Sequence, residues 1–296
     1  MKICGMSDIH GNLYNAVPVC DVLCLCGDIV PLNVQRSMDG SSTWLTRSFT
    51  KWVKDLPCEK VILVPGNHDF IFEKYYKENA WDAAKEVMAS MTVNKVVMLI
   101  DESYEYKGIT FYGTPWIDPI KFQEGRWAFE LPAANINEHL YNKIPKCDVL
   151  LTHDNPNYNR KLSYYATGKY KYHLFGHWHN GLAVESWKEY NCSILNDNYD
   201  LKENLEIVTI DIMSTEERQQ VEQDFLKRLM QDCNTYEFPK VYDSLRDEVF
   251  DFLKDYLEDI PILKEDEVEW DRNINSEFLY TEYDEEITEE ETKEAA

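Results

Sequence analysis

Long apolar runs are missing from this 296-residue sequence, and no stretch approaches the ~20 residues of a membrane-spanning helix. Basic residues are scarce, 30 Lys and Arg against 54 Asp and Glu, for a formal net charge of −24. That balance argues against long nucleic acids and anionic membranes as partners, since both need a basic surface. A basic leader with an apolar core is also absent: Met1 to Met6 read as a strand and a polar motif follows at once, so a cytoplasmic protein is expected. Among the eight cysteines, Cys24-x-Cys26 has no matching second pair, and it sits in an apolar strand-like run. The expectation is reduced thiols packed in a core rather than a zinc site or disulfides.

What is present is a foldable chain, 44% hydrophobic and 13% aromatic. Its acidity is uneven. Up to Met213 there are 27 acidic and 21 basic residues, net −6; after it there are 27 and 9, net −18. Short runs of strand length recur at Lys2–Met6, Val22–Cys26, Lys60–Val64, Lys95–Ile100, Ile109–Tyr112, Asp148–Leu151, Tyr172–Phe175, Cys192–Leu195 and Leu205–Ile212. Helical patterns lie between some of them, at Thr43–Leu56, Glu78–Met91 and Asn135–Ile144. The alternation predicts a layered α/β domain over residues 1–213. From 214 to 283 the pattern predicts an acidic helical extension. It opens on a Ser214/Glu217 capping box and includes a helix with Leu245, Val249, Phe252, Leu253, Tyr256 and Leu257 on one face. That face suits a contact between copies of the chain. Residues 284–296, mostly Glu and Thr, read as an acidic tail.

Chemistry gathers at the strand ends. Asp8 and His10 follow the first strand, Gly27 and Asp28 the second, and Gly66-Asn67-His68-Asp69 the third. Thr152-His153 and Gly176-His177-Trp178-His179 follow later ones, so five of the seven histidines fall in these clusters. Ligands at the carboxyl ends of strands converge on a crevice in α/β architectures. In extended backbone, residues two apart share a face, so Asp8/His10 and His177/His179 are each predicted to chelate. The candidate ligands are Asp8, His10, Asp28, Asn67, His153, His177 and His179. Seven are too many for one ion and suit two if a carboxylate bridges. Imidazole, carboxylate and amide donors favour Mn, Fe or Zn over Ca.

The ordered set Asp-x-His, Gly-Asp, Gly-Asn-His-Asp, Thr-His, Gly-His-x-His resembles the calcineurin-like metallophosphoesterase superfamily over roughly residues 1–212. The resemblance implies a four-layer α/β/β/α sandwich of two mixed sheets. One divalent ion would be held by Asp8, His10, Asp28 and His179, the other by Asp28, Asn67, His153 and His177. Asp28 would bridge, and His68 would be the catalytic histidine that binds no metal. Manganese is the first choice, with Fe, Zn and Mg as alternatives. Trp52, Leu56-Pro57, Tyr112-Gly113-Thr114-Pro115-Trp116, Trp127-Ala128-Phe129 and Leu131-Pro132 look closest to the brain-type metallophosphoesterase-domain phosphodiesterases and their microbial relatives. Two departures, Asp69 for the usual Glu and Asp154-Asn155-Pro156 after His153, bear on substrate preference.

The implied reaction is hydrolysis of a nucleotide or cyclic-nucleotide phosphodiester by a hydroxide bridging two ions. Asn67, His68 and Trp116 would meet the substrate, and Trp127 is a second aromatic that could stack on a base. A phosphomonoesterase and a catalytically weak metal-nucleotide sensor are the alternatives. Asp69 is expected to orient local backbone, and His173 to support the ligands or to pack. Arg160 and Lys161 are expected to be solvated rather than to meet a distal phosphate, and His139 to lie on an exposed helix.

Overall fold

A computed structural model describes residues 1–131, 140–180, 184–186 and 188–213, with 217, 220, 221 and 224. The chain divides into two compact units, Met1–Gln223 and Asp224–Ala296. Apart from Asp224 the second lies outside the described residues, and with it most of the expected extension and the acidic tail. The four described residues beyond 213 are helical.

The first sheet has the order β11-β1-β2-β3-β4. Its strands are β1 (Lys2–Met6), β2 (Cys20–Cys26), β3 (Cys58–Val64), β4 (Val96–Met98) and β11 (Val208–Asp211). β1 to β4 pair in parallel and β11 runs antiparallel to β1. The second sheet has the order β5-β6-β7-β8-β10-β9. It comprises β5 (Glu102–Tyr106), β6 (Ile109–Thr114), β7 (Cys147–Thr152), β8 (Tyr170–Phe175), β9 (Val184–Ser186) and β10 (Glu189–Asn191). Here β6, β7, β8 and β10 are parallel, with antiparallel β5 and β9 at the edges.

The period of two along each strand builds the layers. On β2, Val22, Cys24 and Cys26 face inward and pack with Ile62 and Val64 of β3. Across from them lie Phe111, Val149, Leu151 and Leu174 of the second sheet. Leu23 and Leu25 face the other way, with Val61 and Leu63, onto helices. Those helices are α1 (Met38–Trp44), which runs through a π-turn at Leu45–Phe49 into α2 (Thr50–Asp55), then α3 (Phe70–Lys77) and α4 (Trp81–Met91). They contribute Phe49, Trp52, Val53, Phe72, Trp81 and Met88. On the outside of the second sheet, Leu150 packs on Leu162 and Ala166 of α5 (Arg160–Ala166). The result is the four-layer α/β/β/α sandwich of two mixed sheets. Cys24 and Cys26 are buried between the sheets as small apolar side chains, and they belong to no candidate metal group among the described residues. Among the described residues no helix is long and apolar enough to cross a membrane.

The strand expected at Cys192–Leu195 is instead a strap. The Cys192 N–H donates to Phe175 O of the second sheet (2.7 Å), while Cys192 O accepts from Ser7 N at the end of β1 (2.7 Å). Its backbone groups are shared between two sheets, so it joins no ladder of its own; the paired strand is β10, just before it. β5 escaped the pattern because it is an edge strand with Glu102 and Glu105 among its five residues. The helix expected at Glu78–Met91 starts only at Trp81, and α3 before it was not expected; the two are separated where Asn79 takes a left-handed φ of 56°. Half of the segment expected as a helix at Asn135–Ile144, His139 included, lies outside the described residues.

Across β6, β7 and β8, Asp148 ties three strands. It accepts from Thr110 N and Oγ1 (both 2.8 Å) and pairs with Lys171 Nζ at 2.6 Å. Burial opposes its charge, but the Lys171 ammonium and the Thr110 donors override burial and hold the carboxyl below its usual range. A depressed folded pKa contributes stability above the unfolded value, about 3.9, and loses it as pH falls through the folded value. Asp148→Asn should therefore melt below the wild type at pH 7, and the gap in Tm should close in thermal scans below about pH 4.

Candidate metal centre

Five strands of the two sheets deliver the site. β1 leads to Asp8 and His10, β2 to Asp28, β3 to Asn67 and His68, β7 to His153, and β8 to His177 and His179. Asp28 lies at the middle. Its Oδ1 accepts from the backbone N of His68 (2.7 Å), and its Oδ2 lies 3.4 Å from His153 Nε2, 3.7 Å from His10 Nε2 and 3.9 Å from His68 Nε2. Asp8 accepts from the backbone N of His177 (3.0 Å) and from Ser193 Oγ, and its Oδ1 lies 3.5 Å from His179 Nε2. Asn67 Oδ1 lies 2.8 Å from His153 Nε2 and 2.9 Å from His177 Nδ1. All seven expected ligands thus come together. Groups able to hold a cation are Asp8/His10/His179, Asp8/Asp28/His153 and His10/Asp28/His68. The last places His68 within a ligand's reach as well.

The donor chemistry fits cations. Cys26 O and Asn196 O can only accept, so His153 Nδ1 (2.8 Å) and His179 Nδ1 (2.9 Å) are the protonated nitrogens in those contacts. That turns each Nε2 toward oxygens that also only accept: Asn67 Oδ1 and Asp28 for His153, Asp8 for His179. His10 is buried with neither ring nitrogen hydrogen-bonded. Buried polar atoms seldom go unpartnered, and a cation among these lone pairs would satisfy them together.

Electrostatics agree. Burial opposes charge on Asp8 and Asp28, yet the facing imidazoles hold both carboxyls below their ordinary range. Burial alone would lower His153, but the Asp28 carboxylate pushes it up to about 10. Burial dominates at His10 and pushes it down to about 4.

The local backbone differs from the expectation of extended chain. Asp8 (φ 53°), His10 (φ 42°), Asp28 (φ 54°) and His177 (φ 69°) are all left-handed. Such residues cost of order 1–3 kcal/mol each and persist only where surroundings hold them. Here Asp8 N donates to Gly27 O (3.0 Å) and His10 N to Asp28 O (2.9 Å), so the tight turns themselves aim the side chains. A side chain on Gly66 would strike the Asp28 carboxylate and the His153 ring, and one on Gly176 would strike Ser7 and Asp8.

Asp69 orients backbone as expected, accepting from Ile29 N (3.0 Å), Val30 N (2.9 Å) and Gly66 N (2.8 Å). His173 is buried with Nε2 2.8 Å from Thr152 Oγ1, supporting the strand end that carries His153. Trp116 does not join the cluster: its Nε1 donates to Asp101 (2.7 Å) and its ring packs on Phe129 and Tyr76. The aromatic against the site is Trp127, with its ring centroid 4.5 Å from that of His68. Asp154 is buried and accepts from Asp118 N and Asn159 Nδ2, so this departure braces loops. Arg160 is exposed at the start of α5.

Ser193, Asn196 and Tyr199 escaped the sequence reading. Tyr199, at a left-handed φ of 63°, sets its ring edge-on to His10 and His179, with centroids 5.0 and 5.1 Å away. Nothing in their local sequence marks these residues; only the strap and the following loop bring them here.

Fold and site together define an α/β protein with a His/Asp/Asn metal-type centre at the carboxyl ends of its strands. Residues 1–181 match the calcineurin-like phosphoesterase family, and the chain belongs to it. It is 27% identical over 232 residues to UPF0046 protein T07D4.2 of Caenorhabditis elegans, covering 65% of this chain and 56% of that protein. It is 26% identical over 166 residues to human metallophosphoesterase domain-containing protein 1, covering 51% and 47%. The chain thus spans about half the length of the curated relatives it matches. Among solved structures, one described as a novel archaeal phosphodiesterase aligns with a TM-score of 0.34 and 16% identity, over 72% of this chain and all of the other. The family generally uses two divalent ions, and the groups here could hold them.

Calorimetric titration of the metal-free chain with Mn²⁺ should show two ions bound, and Asp28→Ala should lose at least one while keeping its far-UV circular dichroism. Ions need the bare His153 Nε2 and so compete with its proton. The apparent affinity should therefore fall as pH is lowered from 8 to 6, with protons released on binding.

Proposed function

We propose that this chain is a hydrolase of phosphate esters that works with two divalent ions, manganese foremost, and acts on nucleotide or cyclic-nucleotide phosphodiesters. The observation that carries this reading is the buried Asp28 carboxylate, with three imidazoles facing its Oδ2 at 3.4–3.9 Å and Asn67 Oδ1 bonded to one of them. Ions bound there would supply Lewis-acid charge to phosphoryl oxygens and a nucleophile from water.

The chain's own residues do the rest. Asp8 and Asp28 stay ionised through neutral pH, which keeps two anchoring charges in a buried site. His153 and His179 are locked by Cys26 O and Asn196 O, so their orientation need not be found during turnover. His68 Nε2 faces the centre and is the atom placed to take up a proton and pass it to the leaving ester oxygen. The Trp127 ring covers one side of His68. Arg36, stacked over Trp127 and Phe70 at 5.2 and 4.3 Å, brings positive charge to the same side. The complete donor set supports turnover over a role limited to metal-nucleotide binding.

The test compares a model diester, a model monoester and a panel of 2′,3′- and 3′,5′-cyclic nucleotides with Mn²⁺-loaded protein. The diester and one cyclic class should be preferred; faster monoester cleavage would favour the phosphomonoesterase reading. Asp28→Ala should abolish activity. His68→Ala should lower kcat by roughly 10²-fold or more with metal stoichiometry unchanged.

A further inference from the structure

We infer that Gln35 is the positioning residue for His68: its side-chain carbonyl holds the imidazole as the Nδ1–H tautomer and so presents a bare Nε2 to the site. This rests on the reading of His68 as the proton-exchanging group.

The contact is short, and its polarity follows from the acceptor. Gln35 Oε1 lies 2.5 Å from His68 Nδ1. An amide oxygen only accepts, so Nδ1 carries the hydrogen. The opposite nitrogen, Nε2, lies 3.9 Å from Asp28 Oδ2 and faces the centre. The remaining sides of the ring are occupied. Trp127 lies against it with an interplanar angle of 39°, and His10 meets it edge-on at 4.8 Å and 84°. These contacts limit ring tilt, but neither ring carries an acceptor oxygen for Nδ1. Which nitrogen of a histidine bears the proton is set by the hydrogen bond the other one makes, and at His68 that bond belongs to Gln35.

The loop that returns Gln35 to His68 is itself built from the neighbouring motif. Asp69, next to His68 in the chain, clamps the backbone N–H groups of Ile29 and Val30 at the loop's start. A turn follows in which Pro31 O accepts from both Val34 N (3.1 Å) and Gln35 N (3.0 Å). Ser41 Oγ then donates to Val34 O at 2.9 Å and ties the turn to α1. Asp69 thus fixes the start of the loop and Gln35 closes it on the preceding residue. No motif spacing marks Gln35, because the contact spans 33 positions.

Long-range ¹H–¹⁵N NMR of the full-length chain, metal-free and Zn²⁺-loaded, reads the tautomer directly. In the wild type, His68 should show a protonated Nδ1 and a bare Nε2. Gln35→Leu, similar in size but without an acceptor, should shift His68 toward the Nε2–H form, and Gln35→Glu should restore Nδ1–H. An Nε2–H wild type, or a Leu variant that keeps the wild-type tautomer, overturns the proposal.

With Mn²⁺ and the preferred ester, Gln35→Leu should lower kcat about 10- to 100-fold, the usual cost of losing such an outer partner, with KM and bound metal unchanged. Added to His68→Ala it should cost nothing more; a further loss there would mean that Gln35 acts elsewhere and would overturn the assignment. If the wild type hydrolysed no ester, the functional reading would fail, while the NMR result would still decide the role of Gln35.

Discussion

Two ionised carboxylates, Asp8 and Asp28, are buried at the meeting point of the two sheets, and much of the structure around them follows from having to stabilise them. A buried anion is costly unless it is paired and hydrogen-bonded. The protein answers with imidazoles from four strand ends and with backbone N–H groups of His68 and His177 aimed at the oxygens. The arrangement requires left-handed backbone at Asp8, His10, Asp28 and His177. Conformations that unfavourable survive because both sheets and their connecting hydrogen bonds over-determine them.

An outer ring of polar contacts makes that possible. Asp69 holds the loop after β2, Ser193 holds Asp8, the Cys26 and Asn196 carbonyls hold His153 and His179, and His173 steadies Thr152 beside His153. Most of these partners lie on segments of irregular backbone, where a single residue can be aimed without regard to a strand's period. The strap at Cys192–Leu195 matters most in this respect. Stitching β1 to β8, it closes the ends of the two sheets over one centre and carries Ser193 to Asp8.

The net charge of −24 looks ill-suited to an anionic substrate. Most of that excess lies beyond Met213, and up to Met213 the net charge is −6. Two of the acids in that region are the carboxylates at the centre, where bound dications would invert the local field. Acidity overall and a small phosphate at this centre are therefore compatible.

The strands and the cluster of candidate donors were legible from the sequence because both are local. Short apolar runs mark β1, β2, β3, β6, β7 and β8, and the polar clusters follow those strands within a few positions. Asp8, His10, Asp28, Asn67, His153, His177 and His179 could therefore be assembled without coordinates. The same logic failed where a neighbour rather than the local pattern decides. The Cys192–Leu195 run is apolar like a strand but is shared between two sheets, and β5 is a strand despite its charges because it only needs an edge. Trp116 and Trp127 cannot be told apart by composition; packing set one against Phe129 and the other on His68. What the sequence determined by itself was which donors would end each strand, since periodicity and chain order are one-dimensional properties. Which side chains hold those donors, and which tautomer each histidine adopts, only the tertiary structure decided. Those contacts join residues as far apart as Asp8 and Ser193, and no local preference encodes a distance in space.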